Sequence, residues 1–179
     1  MLIGAIRAID RLNDTVGKAV SWLTLATVLI CAGVVGLRYI AGTGFVWMQE
    51  LYVWTHAAVF MLASGFAFLR NAHVRVDIFY SEASRRTRAW IDLFGAVFLL
   101  LPWLVLVTWA SWSYVSASWE IGEASVQNNG MPAVYLLKST IILFAFLLGL
   151  QALAWIGRCI LVLKGQEPPP PPAVTGALG

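Results

Sequence analysis

The chain has 179 residues, of which 60% are hydrophobic and only 12% are charged, whereas an ordinary soluble domain is about 25% charged. One soluble core could not bury so much apolar surface, so the composition excludes a cytosolic enzyme, a nucleic-acid-binding protein and a disordered linker, and predicts an all-α integral membrane protein. The 12 Lys and Arg against 9 Asp and Glu are expected to set its orientation in the bilayer first.

The first predicted element is an amphipathic helix over residues 1–18 that lies at the membrane interface. Apolar side chains recur there at helical spacing, while charged side chains line another face. The apolar set is Leu2, Ile3, Ile6, Ile9, Leu12 and Val16, and the charged set is Arg7, Arg11, Asp14 and Lys18. Two interpretations stay open: the helix rests on anionic lipid, or it braces a partner subunit.

A membrane domain of four helices is predicted over residues 19–163. Four stretches lack Asp, Glu, Lys and Arg and are long enough to cross a hydrocarbon core of ~30 Å, which takes about 20 helical residues. They cover residues 19–37, 51–69, 93–119 and 139–157. The third is the longest, so a tilt, a kink at Pro102 or projection beyond the bilayer must accommodate its extra length.

The Lys and Arg residues are distributed unevenly between the two ends of these spans. All of them except Arg38 and Lys138 lie before the first span, between the second and third, or after the fourth. The positive-inside rule therefore places both termini and the middle loop in the cytoplasm. That loop is expected to hold a short amphipathic segment over Glu82 to Trp90, and residues 164–179 are expected to form a disordered Pro-rich tail.

Few groups within the spans could support chemistry. The absence of charged residues there argues against a self-contained transporter. His56 lies well inside the second span with Gln49 one heptad earlier, which favours a polar contact between helices over a relay role. His56 and His73 are too far apart to ligate one haem iron, and His73 with Asp77 gives fewer ligands than a metal site needs. We expect no catalytic residue, no cofactor and no metal site.

Short motifs at the ends of the spans are more specific. They are Trp47-Met48-Gln49-Glu50-Leu51-Tyr52, His73-Val74-Arg75-Val76-Asp77, Ser118-Trp119 with Glu123 and Ser125, and Lys138 at the start of the fourth span. Over about residues 10–163 the chain resembles the small membrane subunit of tripartite ATP-independent periplasmic (TRAP) transporters, the DctQ family, and within it the mannitol/chloroaromatic-like subgroup.

The resemblance implies a multi-pass subunit of the bacterial inner membrane that takes part in symport. Its partners would be a large multi-span permease subunit, which carries the substrate and sodium sites, and a periplasmic solute-binding protein that delivers an organic acid or related solute. Membrane lipid is the remaining expected contact, and no nucleic acid is expected. The chain itself would be non-catalytic, bracing the large subunit and helping the binding protein to dock.

The resemblance also assigns candidate contact residues by position. The subunit-contact candidates are Glu50, His73, Arg75, Asp77 and Lys138, and the periplasmic docking candidates are Glu120 and Glu123. Two other functions remain as alternatives: a membrane-anchor subunit of a redox complex, and an autonomous small exporter.

Overall fold

The computed structural model describes residues 2–73, 80 and 82–172, and the regular elements in these residues are helical. In chain order they are α1 (Leu2–Ile40), α2 (Val46–Leu62), α3 (Ser64–Leu69), α4 (Arg85–Phe94), a π-helical turn (Gly95–Leu100), α5 (Leu101–Glu120) and α6 (Val134–Leu163). Four helical stretches in the described part of the chain are long and apolar enough to cross a membrane. The prediction of an all-α membrane protein is confirmed.

The N-terminal segment and the first span form one helix, α1. It has 39 residues and is therefore about 58 Å long, and no break marks the predicted boundary at residue 18. Ile6 on its apolar face is buried against Ala154 and Leu161 of α6, while Leu12 is exposed. The face that the sequence assigned to lipid or a partner is thus covered in part by the chain's own last helix.

The second span is interrupted at Ala63, between α2 and α3. Gly65, two residues later, lies directly against α1 and α6. A Cβ at Gly65 would come within 3.0 Å of the Leu147 carbonyl oxygen and would overlap the Asn13 side chain. Glycine is therefore needed at this close approach of three helices.

The third span continues a helix that begins outside it. Ser84 caps α4 by accepting a hydrogen bond from the Thr87 N–H, so the basic segment predicted over Glu82 to Trp90 becomes the first turns of this helix. The π-helical turn ends at Leu100, two residues before Pro102, which has no N–H to donate to the carbonyl of Phe98. The chain thus passes the proline by widening the helix locally.

The helices form an open layer around α6. This helix contacts α1, α2 and α3 as well as α4, the π-helical turn and α5. In the described residues α5 contacts α6 and the π-helical turn but neither α1 nor α2, so the four spans do not close into a bundle. Leu104 of α5 packs against Ala145 and Leu148 of α6, where small residues allow the helices to approach. The layer leaves long faces of α1 and α5 uncovered.

Candidate functional site

The loop between α5 and α6, residues 121–133, is held by the carboxylate of Glu50 at the start of α2. Glu50 accepts hydrogen bonds from the Ser125 hydroxyl and from the Met131 N–H, the latter at 2.6 Å. Ser125 also donates its N–H to the Met131 carbonyl oxygen at 3.0 Å. A Cβ on Gly130 would lie only 2.8 Å from a Glu50 carboxylate oxygen. Glu50 therefore orders this loop from within the chain.

A second contact ties the same loop to α6. Lys138 forms an ion pair with Glu123, and its Nζ lies 3.8 Å from the centroid of the Tyr114 ring. The carbonyl oxygen of Glu123 accepts the Val134 N–H at 2.8 Å, where α6 begins. The hydrogen bond from Lys138 lowers the pKa of Glu123 below its ordinary value. We call Glu50, Glu123, Ser125, Met131 and Lys138 the loop cluster.

The surface beside the loop cluster is mixed rather than acidic. Glu120 is exposed at the last position of α5, whereas Glu123 is occupied by its partner within the chain. Ile121 is exposed, and Val126 is 97% exposed. This surface therefore presents apolar side chains beside the two carboxylates that the sequence indicated.

A different set of polar residues lies at the other end of the molecule, near the termini. Asp10 of α1 is 1% exposed and accepts hydrogen bonds from the Arg158 guanidinium and, at 3.1 Å, from the Gln151 amide. Gln151 in turn accepts from the Asn13 amide at 2.9 Å. Because buried polar groups are costly unless paired, these bonds fix the first helix to the last.

Asp14 extends this network to α3, one helical turn further along α1. It accepts from Arg70, which follows α3, and from Lys18 at 2.7 Å. We call Asp10, Asn13, Asp14, Arg70, Gln151 and Arg158 the termini cluster.

The sequence placed Asp14 on the charged face of the N-terminal helix and missed the buried role of the others in the termini cluster. The available signal was Asp10, Asn13 and Asp14 at helical spacing, together with a lone Gln151 in an apolar span.

The segment after α6 packs over the termini cluster. Arg158 donates to the Pro169 carbonyl oxygen at 3.4 Å, and Arg70 donates to the Pro172 carbonyl oxygen. Glu167 pairs with both terminal nitrogens of Arg85 in α4, at 2.7 and 3.0 Å. Residues 164–172, which the sequence placed in a disordered tail, thus make defined contacts, and residues 173–179 lie outside the described residues.

The remaining candidates are distributed differently from the prediction. His73 is exposed and its ring meets Phe68 edge-on, with centroids 5.7 Å apart. Arg75 and Asp77 lie outside the described residues. The thiol of Cys31 is exposed and that of Cys159 is buried. Among the described residues, no three His, Cys, Asp or Glu side chains group as metal ligands do.

Each carboxylate of the two clusters is bound by a donor from the same chain. Asp10 and Asp14 accept hydrogen bonds from guanidinium groups, and Glu123 accepts one from an ammonium group. Glu50 accepts hydrogen bonds from a hydroxyl and a backbone N–H. Such groups are suited to positioning helices and a loop. They are not arranged as a nucleophile with a base or as an ion pathway.

Residues 26–161 match the family model described as tripartite ATP-independent periplasmic transporters, DctQ component. The match contains the whole loop cluster and the α3 and α6 residues of the termini cluster, while Asp10, Asn13 and Asp14 precede it. No curated protein and no solved structure matches the chain.

Proposed function

The chain belongs to the DctQ family, the small component of TRAP transporters, and from this premise we propose that it is a non-catalytic permease subunit that braces a large multi-span subunit and helps to dock a periplasmic solute-binding protein. The cargo is an organic acid or related solute, and its uptake is driven by Na⁺. The substrate and ion sites belong to the large subunit.

The open layer of helices is the observation that supports this proposal most directly. Large side chains on both α1 and α5 point away from the chain, with Leu29 62% exposed and Val105 68% exposed. A transporter made of these four helices alone would need an enclosed cavity between them to hold a solute. An open arrangement whose spans carry no Asp, Glu, Lys or Arg instead suits a scaffold that lies beside the subunit with the transport pathway.

The two clusters fit opposite sides of the inner membrane. The end that carries the termini has most of the Lys and Arg residues, so we place it in the cytoplasm. The loop cluster then faces the periplasm, where the binding protein arrives. Glu120, beside the loop cluster at the end of α5, is the exposed carboxylate available for docking, whereas Glu50, Glu123 and Lys138 act on docking through the shape of the loop.

The subunit-contact candidates divide in the same way. His73 remains a candidate for direct contact because it is exposed at the cytoplasmic end, and Arg75 with Asp77 remain candidates from their motif. Glu50 and Lys138 have internal partners, so their effect on assembly is indirect.

Co-purification tests the proposal. The chain, tagged after Gly179, is isolated from its native membrane in mild detergent, and the proteins that accompany it are identified by mass spectrometry. We expect a stoichiometric multi-span partner, and we expect vesicles to take up solute only when both subunits and the binding protein are present. Recovery of a haem protein or a dehydrogenase would favour the redox-anchor alternative, and transport by the chain alone would favour the exporter.

A further inference from the structure

One face of α2 carries a hydrogen-bonding side chain inside the second span. His56 is exposed and lies six residues after Glu50, about 9 Å further along the helix axis and within the charge-free stretch of residues 51–69. Gln49 stands one heptad earlier on the same face. Val53, which is 51% exposed, and Phe60, which is 71% exposed, complete this face.

The neighbouring faces of α2 are already in contact with the chain. Thr55 accepts a hydrogen bond from Thr27 of α1 at 2.8 Å, and Glu50 turns toward the loop that precedes α6. The side chains of Gln49 and His56 make no hydrogen bond within the described part of the chain. Gln49 and Val53 line a groove beside Val134 and Leu137 of α6, whereas His56 and Phe60 are exposed further along α2.

Lipid is a poor neighbour for this face. Acyl chains offer no hydrogen-bonding group, so an imidazole exposed to them within the span loses the bonds it makes in water. The other uncovered faces are largely apolar. Leu29 on α1 is apolar, and an apolar groove of about 950 Å³ that includes Val105 and Gly149 runs between α5 and α6. Lipid suits those surfaces.

We propose that the face formed by Gln49, Val53, His56 and Phe60, here called the α2 face, is the membrane-depth contact with the large permease subunit. A helix of that subunit brings a hydrogen-bonding side chain to the depth of His56 and covers the imidazole. The inference rests on the proposed function and adds to it the surface and the chemistry of the contact.

Site-specific photo-crosslinking locates the contact. A photoreactive amino acid is introduced at Val53 or Phe60 in the full complex, with Leu29 and Val105 as similarly exposed control positions on α1 and α5. We expect a crosslink to the large subunit from Val53 and Phe60, and no such crosslink from Leu29 or Val105.

Crosslinks to the large subunit from the control positions alone would overturn the proposal. Crosslinks between two copies of this chain from Val53 and Phe60 would overturn it as well.

Substitution of His56 tests the chemistry. His56→Leu is expected to lower the affinity for the large subunit about tenfold, which is what loss of one interhelical hydrogen bond produces. His56→Gln, which keeps hydrogen-bonding capacity, should retain most of that affinity. The isolated subunit should have the same melting temperature with His56, Leu or Gln, because the imidazole has no partner within the described chain.

The outcomes separate this inference from the proposed function. Equal binding by His56→Leu and the unmodified chain would overturn the α2 face as a polar contact, and so would a lower melting temperature of the isolated His56→Leu subunit. Both results are compatible with a transporter subunit that binds through another surface. Failure of the unmodified chain to recover any multi-span partner would overturn the proposed function and this inference together.

Discussion

The termini cluster and the loop cluster use the same chemistry for different purposes. In both, a carboxylate from one part of the chain accepts hydrogen bonds from a distant part. In the termini cluster Asp10 is almost completely buried and joins α1 to α6, whereas in the loop cluster Glu123 is 27% exposed and fixes a loop to the start of α6. Because burial sets the cost of an unpaired charge, the first cluster should determine helix assembly and the second the shape of a surface.

The largest expected effect is removal of the cation from the buried pair. Arg158→Met leaves the Asp10 carboxylate buried without its charged partner, so we expect the isolated subunit to lose about 3–5 kcal/mol of unfolding free energy. Unfolding in mixed detergent, followed by circular dichroism, measures the change.

The double variant D10N/R158M is the control for this prediction, because it removes both charges and should recover part of the lost stability. If the double variant is as unstable as Arg158→Met, then an unpaired carboxylate is not the source of the loss.

The next effect comes from the close approach of α3 to the termini cluster. Gly65→Ala forces a Cβ into the Asn13 side chain and toward the Leu147 carbonyl oxygen, and overpacking of this kind costs about 1–3 kcal/mol. Gly4→Ala is the matched control because a Cβ at Gly4 meets nothing within 4 Å. It should leave stability unchanged or raise it slightly, since alanine favours the helix. Equal melting temperatures for the two variants would contradict the tight contact at Gly65.

A smaller and more local effect is expected at Glu50. Glu50→Gln removes the charge of the carboxylate that accepts hydrogen bonds from the Ser125 hydroxyl and the Met131 N–H. Backbone amides over residues 121–133 should therefore exchange with deuterium faster, while exchange within α6 stays the same. Uptake that depends on the binding protein should fall in the same variant. Glu120→Gln, at an exposed position, should leave exchange unchanged. Faster exchange throughout the helices would place Glu50 in the packing of the helices instead.

The contrast between the clusters also shows what the sequence can establish. Composition and the runs without charged residues were sufficient to predict four spans, because the thickness of the bilayer sets the length of a helix that crosses it. The motifs at the ends of the spans, above all those around Glu50 and over residues 73–77, indicated the family that the match confirms. The partners of Glu50 and Lys138 were not predictable, because they depend on how residues 121–133 fold back over α2. The burial of Asp10 was not predictable either, since burial of a helix face depends on which helix covers it.

The smallest effect we predict is the pH dependence of the loop. The pKa of Glu123 is lowered in the folded chain by its hydrogen bond from Lys138, so the ionised carboxylate favours the ordered loop above the pKa of an unfolded glutamate. This contribution is lost as the pH falls through the lower, folded value. A spin label at Val126, which is 97% exposed, should therefore become more mobile once the pH falls well below the ordinary glutamate pKa of about 4.3. Lys138→Met should give the mobile spectrum already at neutral pH and remove most of the pH dependence. A pH response that persists in Lys138→Met would assign it to another carboxylate, with Glu50 as the one that remains bound to the same loop.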